Sequence, residues 1–208
     1  MNLYTLLTIL TGGLSLLCLI ALHFTSPEFK PAWRMISEYA MGKYKWLLSL
    51  FFYLWGVSSV LLAFRLSGLV TGFWAYTGLV MLTLSGIGAI SGGLFDVKHK
   101  NHGLAFALGV PTMPIAALLI SYHLFNTHII TEKKAILSAH ATWISILIMA
   151  FTMMLMFSGF KKAGITWDKD SAPPTEIPGG VIALGGYANR FLVLCYQFWV
   201  IYMAYLIG

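Results

Sequence analysis

A short polar segment, FDVKHKNH, interrupts an otherwise apolar chain and carries side chains that could do chemistry. Asp96, His99 and His102 follow one another at intervals of three, which would place them on one face of a helix. A carboxylate and two imidazoles form a ligand set that suits zinc or iron. Glycines flank the segment on both sides, so a regular helix is doubtful, and a solvated basic loop is the alternative interpretation.

Two further charged residues adjoin apolar segments. Glu38 lies just before the second apolar segment, and Arg190 lies near the start of the last one. Ionisable groups this close to hydrocarbon are functional candidates, because their burial is costly. We expect Arg190 to pair with Glu38 first, or else with Asp96. The alternatives are that Arg190 reaches lipid phosphates and that the aromatic residues around Glu38 form an interfacial belt.

One histidine lies inside a predicted membrane span. His140 could serve as an axial ligand of heme, with His123 or His23 as its counterpart. A buried histidine more often forms a hydrogen bond to a neighbouring helix, and that is the arrangement we expect here. A zinc ion at the polar segment is therefore a better candidate cofactor than heme.

The composition places these residues in a membrane protein. Of the 208 residues, 59% are hydrophobic and 10% are charged, whereas a soluble domain has about 25% charged residues. The net charge of +6 does not indicate a nucleic-acid partner, because the cations lie between apolar segments. Their position favours contact with the anionic inner leaflet of a bilayer. Cys18 and Cys195 lie within apolar segments and are expected to be buried thiols.

Six apolar segments approach or exceed the length of about 20 residues that crosses a bilayer. They are Leu3–Phe24, Trp46–Phe64, Leu69–Ile90, Leu104–Phe125, Ile136–Phe160 and Tyr187–Ile207. No segment alternates with period two, so strands are not expected. We predict an all-α integral membrane protein in which residues 1–208 form a single bundle of six transmembrane helices. The small residues of Ser85–Gly93 should allow close helix packing, and Pro111 and Pro114 should kink the fourth span.

The distribution of cations predicts the orientation of the bundle. The first, third and fifth connections hold nine lysines and arginines, whereas the second and fourth hold three. The nine are Lys30, Arg34, Lys43, Lys45, Lys98, Lys100, Lys161, Lys162 and Lys169. Because cytoplasmic loops carry the excess of lysine and arginine, we expect the odd-numbered connections to be cytoplasmic and both termini to lie outside the plasma membrane.

Three stretches of the sequence resemble a bacterial membrane family catalogued as domain of unknown function 998. They are ISEYAMGKYKWLLSLFFYLWG, then GLVMLTLSGIGAISGGLFD followed by HG, and GGYANRF at the last span. The resemblance implies a six-span architecture but no established activity. The matching positions are Ser37, Glu38, Gly42, Gly56, Phe95, Asp96, His102, Gly103 and Arg190. His99 is not part of the family pattern, which weakens a metal site with two histidines.

The first functional hypothesis is a non-enzymatic protein that binds a lipid or small amphiphile at a polar cytoplasmic site. Glu38, Asp96, His102 and Arg190 would form the site, with the arginine meeting an anionic headgroup. One alternative is a metal-dependent hydrolase of a lipid amide or ester, in which Glu38 is the general base beside the metal. A second is an accessory subunit of a membrane complex. The sequence names neither the ligand nor the oligomeric state.

Overall fold

The structure is a computed structural model that describes residues 2–165 and 176–208. Within these ranges every regular element is helical, which confirms the all-α prediction. The elements are α1 (Leu3–Thr25), a 3₁₀ helix (Ile36–Met41), α2 (Lys45–Ser67), α3 (Phe73–Leu94), α4 (His102–Gly109), α5 (Thr112–Asn126), α6 (Lys133–Lys162) and α7 (Gly185–Leu206). Lys169, which contributes to the predicted charge asymmetry, lies outside the described residues.

Five of the helical segments are long and apolar enough to cross a membrane. They are α1, α2, α3, the pair α4 and α5 taken together, and α6. Several such segments in one chain are typical of a multi-pass membrane protein. The sixth predicted span corresponds to α7, which is not among the five. That helix is the most enclosed of the long helices, because 13 of its 22 residues are buried. Polar residues in such a helix face the bundle interior, and they lower its apolar character.

Glycines bring α3 close to two of its neighbours. A methyl group on Gly56 of α2 would lie 2.5 Å from the side chain of Ile90 and closer still to the carbonyl oxygen of Gly86. One on Gly88 would lie 2.5 Å from the Cα atom of Gly109 at the end of α4. The backbones therefore meet in near contact, as small residues permit in membrane helices. The close packing predicted for Ser85–Gly93 is confirmed.

The fourth predicted span is broken rather than continuous. Its first part ends at Gly109 and its second begins at Thr112, so the break falls at Val110 and Pro111. Pro114 has no N–H group to donate to the carbonyl oxygen of Val110 four residues earlier. The hydroxyl of Tyr196 on α7 donates to that oxygen instead, at 2.7 Å. The proline kink predicted from the sequence is confirmed, and the Val110 carbonyl that Pro114 cannot reach accepts from Tyr196.

The connections before α2, after α3 and before α7 meet at one end of the bundle. Lys45, the first residue of α2, contacts Asp96 in the connection after α3. The carbonyl oxygen of Ala32 accepts hydrogen bonds from the amides of Gly186 and Tyr187, at 3.0 and 3.2 Å. Those amides belong to the first turn of α7, where helical N–H groups have no partner within the helix. The first connection therefore caps α7, and this contact positions the candidate site.

Gly186 is required for that cap. A Cβ atom at this position would lie 2.7 Å from the amide nitrogen of Trp33 and 2.8 Å from the carbonyl oxygen of Arg34. Both are backbone atoms, so they could not move aside without displacing the whole first connection. The GGYANR stretch therefore combines a glycine that permits close approach with side chains that bind the approaching segment.

Candidate functional site

A cavity of about 120 Å³ lies at this end of the bundle, bounded by the 3₁₀ helix, α2, α3, α4 and α7. It is partly open to the outside. Among the described residues, its lining is mostly apolar and includes no lysine, arginine, aspartate or glutamate. The lining residues are Met35, Ile36, Ser37, Phe52, Trp55, Gly88, Ala89, Gly92, His102, Ala105, Phe106, Gly109, Val110, Asn189, Leu192 and Val193. A concave, largely apolar site with a few polar groups is the usual form of a small-molecule site.

The local sequence explains why space remains here. On α3, the small residues Gly88, Ala89 and Gly92 face the cavity, while the aromatic rings of Phe52 and Trp55 on α2 form another part of its wall. The break between α4 and α5 adds Gly109 and Val110 to the lining. Small residues thus set the helices close together at some points and leave a gap between bulky neighbours at others.

His102 is the one ionisable side chain that the described part of the chain places in the lining. It is the first residue of α4, and its Nδ1 atom lies 3.0 Å from the carbonyl oxygen of Phe95. A carbonyl oxygen only accepts hydrogen bonds, so Nδ1 carries the proton and donates it. In the neutral ring Nε2 is then an acceptor with an unshared electron pair. His102 is thus a predicted site residue that lines the cavity and has one ring nitrogen bound to the backbone.

Asn189 and Ser37 supply further polar groups, and the indole N–H of Trp55 is a buried donor without a partner among the described residues. The Oδ1 atom of Asn189 accepts a hydrogen bond from the amide of Ile36 at 3.0 Å, which fixes its amide orientation. Its Nδ2 atom has a weak contact with the sulfur of Met149 at 3.7 Å and keeps a second hydrogen. The hydroxyl of Ser37, on the first turn of the 3₁₀ helix, both donates and accepts. The cavity therefore offers uncharged donors and acceptors.

Arg190 does not lie in this cavity but in a buried network beside it. The side chain is only 8% exposed. Its Nε atom donates to Nε2 of His23 at 2.7 Å, and its two terminal nitrogens donate to the carbonyl oxygens of Arg34 and Gly186 and to the hydroxyl of Tyr39, at 2.7, 3.0 and 3.1 Å. The guanidinium group thereby connects α1, the first connection and α7.

The predicted pairing of Arg190 with Glu38 is wrong. Glu38 is 5% exposed and forms its ion pair with Arg34, where Oε2 lies 3.1 Å from the guanidinium Nε. The same oxygen accepts a hydrogen bond from the amide of Met35 at 2.7 Å. The two charged residues are four positions apart, so the chain brings them together locally. Arg190 acts on Glu38 only through the longer-range field of its charge.

Burial dominates the titration of Glu38. Removal from water raises the pKa of this carboxyl group above its ordinary value, although the Arg34 guanidinium and the Met35 amide oppose the shift. Tyr39, the next residue, is also buried, at 1% exposure. The aromatic belt considered for this segment therefore does not include Tyr39. Glu38 and Tyr39 together attach the 3₁₀ helix to the core rather than to the bilayer surface.

Asp96 forms its ion pair with a lysine and not with Arg190. Its Oδ2 atom lies 2.6 Å from the ammonium nitrogen of Lys45, and its Oδ1 atom accepts from the amide of Lys98 at 3.0 Å. The hydrogen bond from Lys45 holds the pKa of this carboxyl group below its ordinary value. Both side chains are partly exposed, and such pairs contribute little to stability. Asp96 borders a very small pocket that adjoins the cavity at His102.

The three candidate metal ligands are not brought together. Within residues 2–165 and 176–208, no group of three or more histidine, cysteine, aspartate or glutamate side chains is placed to hold a metal ion. The connection between α3 and α4 consists of turns, so the spacing of three does not produce a helical face. His99 stacks on the ring of Phe95, and its Nδ1 accepts from the amide of Asn101 at 3.1 Å. The shared-face geometry expected for zinc is therefore wrong.

The histidines considered for heme form hydrogen bonds with other groups of the protein. His140 accepts a hydrogen bond at Nδ1 from the indole of Trp143 at 2.9 Å, and its Nε2 lies 3.0 Å from the hydroxyl of Tyr122. His23 binds Arg190, as described above. His123 lies at the opposite end of the bundle from Arg190, where its Nε2 accepts from the amide of Thr71 at 3.3 Å. The hydrogen bond expected for His140 is confirmed.

Sequence reasoning missed several polar contacts of α7. Gln197, in the middle of this helix, is fully buried and donates to the hydroxyl of Ser15 on α1 at 2.5 Å. Trp199 donates to the hydroxyl of Ser121 on α5 at 2.9 Å. A lone glutamine within an apolar run was the signal for the first contact, because such a group requires a partner inside the bundle. Nothing in the sequence indicated that Asn189 lines a cavity.

The helical core and the polar end together define a multi-pass helical membrane protein with a small cavity at one end of its bundle. A comparison with protein families matches residues 9–206 to the family described as "Protein of unknown function (DUF998)". The match covers almost the whole chain, and the chain therefore belongs to this family, as its sequence motifs indicated. No curated protein and no solved structure shows a significant match.

Proposed function

We propose that the protein binds a lipid or small amphiphile in the cavity that contains His102. The observation that carries this proposal is the lining of that cavity, which combines an apolar wall with three polar side chains. Phe106 belongs to the wall and is 51% exposed, so the cavity reaches the outer surface of the helical core. An apolar tail could therefore continue from the cavity along the surface of the bundle.

We place this function in a six-span topology. With 22 residues, α7 extends over about 33 Å at the usual helical rise, which is enough to cross a hydrocarbon core of about 30 Å. Its polar residues contact other helices, which supports a span enclosed by the bundle. The cation-rich end would face the cytoplasm of a plasma membrane, and both termini would lie outside. Reporter fusions at residues 2 and 208 that were active only in the cytoplasm would contradict this orientation.

The site proposed here differs from the one expected from sequence. Of the four predicted ligand-binding residues, His102 lines the cavity. Glu38 and Arg190 are engaged with protein groups, and Asp96 is paired with Lys45. The lysines at this end remain available to attract an anionic bilayer surface. No observation favours the hydrolase alternative, because Glu38 is bound to Arg34 and Met35, and none favours an accessory subunit.

Two matched substitutions on α4 test the proposal. Ala105 is buried and lines the cavity, whereas Ala107 lies two positions away and is exposed. Ala105→Leu would fill part of the cavity, and Ala107→Leu adds the same side chain outside it. We expect lipid that remains with the purified protein, measured by mass spectrometry, to decrease in the first variant only. Equal lipid content in both variants, with both folded, would refute a ligand at this position.

A further inference from the structure

We infer that the cavity selects an amphiphile with an uncharged head that carries a hydroxyl group, such as a monoacylglycerol. This inference rests on the proposed function and specifies its ligand class. Four observations carry it: the size of the cavity, the pairing of the nearby charges, the free acceptor on His102, and the donors on Asn189 and Ser37.

The volume decides which end of an amphiphile enters. A cavity of 150 Å³ in another protein holds one benzene molecule, so the volume here accommodates roughly five non-hydrogen atoms. An acyl chain of sixteen or eighteen carbons does not fit, whereas a glycerol unit of six non-hydrogen atoms nearly does. The head therefore enters the cavity of about 120 Å³, and the chain leaves past the exposed ring of Phe106.

Five charged residues beside the cavity are paired with groups of the protein, and the other described lysines of this end lie outside the cavity lining. Arg190 donates to four protein acceptors, Glu38 is paired with Arg34, and Lys45 is paired with Asp96. None of these five residues lines the larger cavity. A carboxylate or phosphate placed there would be removed from water without a cationic partner, which is strongly unfavourable. An uncharged head avoids that penalty.

The polar side chains specify what an uncharged head must offer. The Nδ1 atom of His102 is occupied by the carbonyl of Phe95, which leaves Nε2 as an acceptor. An acceptor requires a donor on the ligand, and a hydroxyl group is an uncharged donor that many lipid heads carry. Asn189 keeps one amide hydrogen and Ser37 its hydroxyl, so both can donate to an ester carbonyl. A hydroxyl next to an ester is the head of a monoacylglycerol.

Four oleoyl compounds with the same chain test the inference. Full-length protein in phosphatidylcholine nanodiscs would be titrated with monoolein, methyl oleate, oleate and 1-oleoyl lysophosphatidate, and bound ligand would be counted by native mass spectrometry. We expect monoolein to bind roughly two- to twelvefold more tightly than methyl oleate, which lacks the hydroxyls. Oleate and lysophosphatidate should bind at least about a hundredfold more weakly than monoolein.

Two variants assign the effect to His102. His102→Phe keeps a ring but removes the acceptor, so monoolein should lose its advantage over methyl oleate while the affinity for methyl oleate stays the same. A merely structural role would weaken both ligands equally. His123→Phe is the control, because it also removes one hydrogen bond between a ring and the backbone, at the other end of the bundle. If His102→Phe does not fold, Ser37→Ala tests the ester contact instead: it should weaken monoolein and methyl oleate alike while Tm stays unchanged, and it keeps the bond between His102 and Phe95.

The outcomes separate this inference from the proposed function. Tighter binding of oleate or lysophosphatidate would overturn the uncharged head and leave a lipid site. Equal binding of monoolein and methyl oleate would overturn the hydroxyl. Binding of none of the four compounds would overturn the proposed function as well.

Discussion

The contact of α3 with the broken fourth span gives the sharpest stability prediction. Gly88 and Gly92 lie one turn apart on α3, yet only Gly92 has room for an added methyl group. At Gly92 an added Cβ atom would lie 3.5 Å from the ring of Phe52, which is ordinary contact. At Gly88 it would lie 2.5 Å from the Cα atom of Gly109 and nearer still to that residue's amide nitrogen.

The cost of Gly88→Ala can be worked from these distances. Carbon atoms prefer about 3.5–4.0 Å, so α3 and α4 must separate by roughly 1 Å or more. Overpacking of this kind costs about 1–3 kcal/mol. The hydroxyl of Ser85 donates to the carbonyl oxygen of Gly109 at 2.8 Å, and the separation would break that bond at a cost of about 1 kcal/mol. The higher helix propensity of alanine returns about 1 kcal/mol.

Gly88→Ala should therefore destabilise the protein by about 2 kcal/mol, which corresponds to a fall in Tm of roughly 4–8 °C for a chain of this length. Gly92→Ala, which gains propensity without a clash, should leave Tm unchanged or raise it slightly. Thermal unfolding of both variants in the same detergent, followed by size-exclusion chromatography, measures the difference. If Gly88→Ala were as stable as Gly92→Ala, the near contact of α3 with the proline break would be refuted.

Three further predictions concern the polar contacts. Arg190→Lys keeps the charge but loses the planar set of donors, and it should destabilise the protein by about 2–3 kcal/mol. Arg65→Lys is the control, because it loses only one carbonyl contact and should lower Tm less. Equal losses of Tm in the two variants would contradict the Arg190 network. Tyr196→Phe should destabilise the protein by about 1–3 kcal/mol, because it leaves the carbonyl at the proline break without a donor. Tyr202→Phe is the control, since no hydrogen bond of its hydroxyl is found within the described residues. The same Tm in both variants would argue against the hydrogen bond from Tyr196 to Val110. Because burial raises the pKa of Glu38, its carboxyl group contributes stability that is fully present below the pKa of the unfolded chain and is lost as pH rises through the folded pKa. Glu38→Gln should flatten that decline in Tm profiles across acidic to neutral pH, whereas parallel profiles would show that Glu38 does not cause it.

Most of the membrane spans were predictable because each is a long apolar run that is visible in the sequence. Long apolar runs gave five of the helical segments, and the starts of most lie within three residues of the expected positions. The proline break followed from the missing N–H of Pro111 and Pro114. The sequence predicted α7 as the sixth span, but this helix is not among the five that are apolar enough to cross a membrane, because Arg190 and Gln197 contact protein rather than lipid and lower its apolar character. Hydropathy reports contact with lipid, and an enclosed helix has little of that contact.

The partners of the charged residues were not predictable to the same degree. The sequence showed that Glu38 and Arg190 lie near the same end of the bundle, but pairing depends on angstrom-scale geometry. Arg34 precedes Glu38 by four residues, and that spacing was the available signal for the observed ion pair. Asp96 and Lys45 are 51 positions apart, and no local pattern connects them. His102 lines the cavity because it begins a helix at the edge of a gap that the glycines of α3 leave open.

The two polar groups at this end are connected through the 3₁₀ helix. Ser37 lines the cavity, while Glu38 binds Arg34 and Tyr39 accepts a hydrogen bond from Arg190. The buried charges therefore fix the position of one cavity wall without entering the cavity. Because a guanidinium group has a rigid set of donors, this attachment is more precise than an apolar contact would be. The paired charges therefore hold the 3₁₀ helix from outside the cavity. Among the described residues, the wall that this helix contributes is polar through Ser37 and carries no charge.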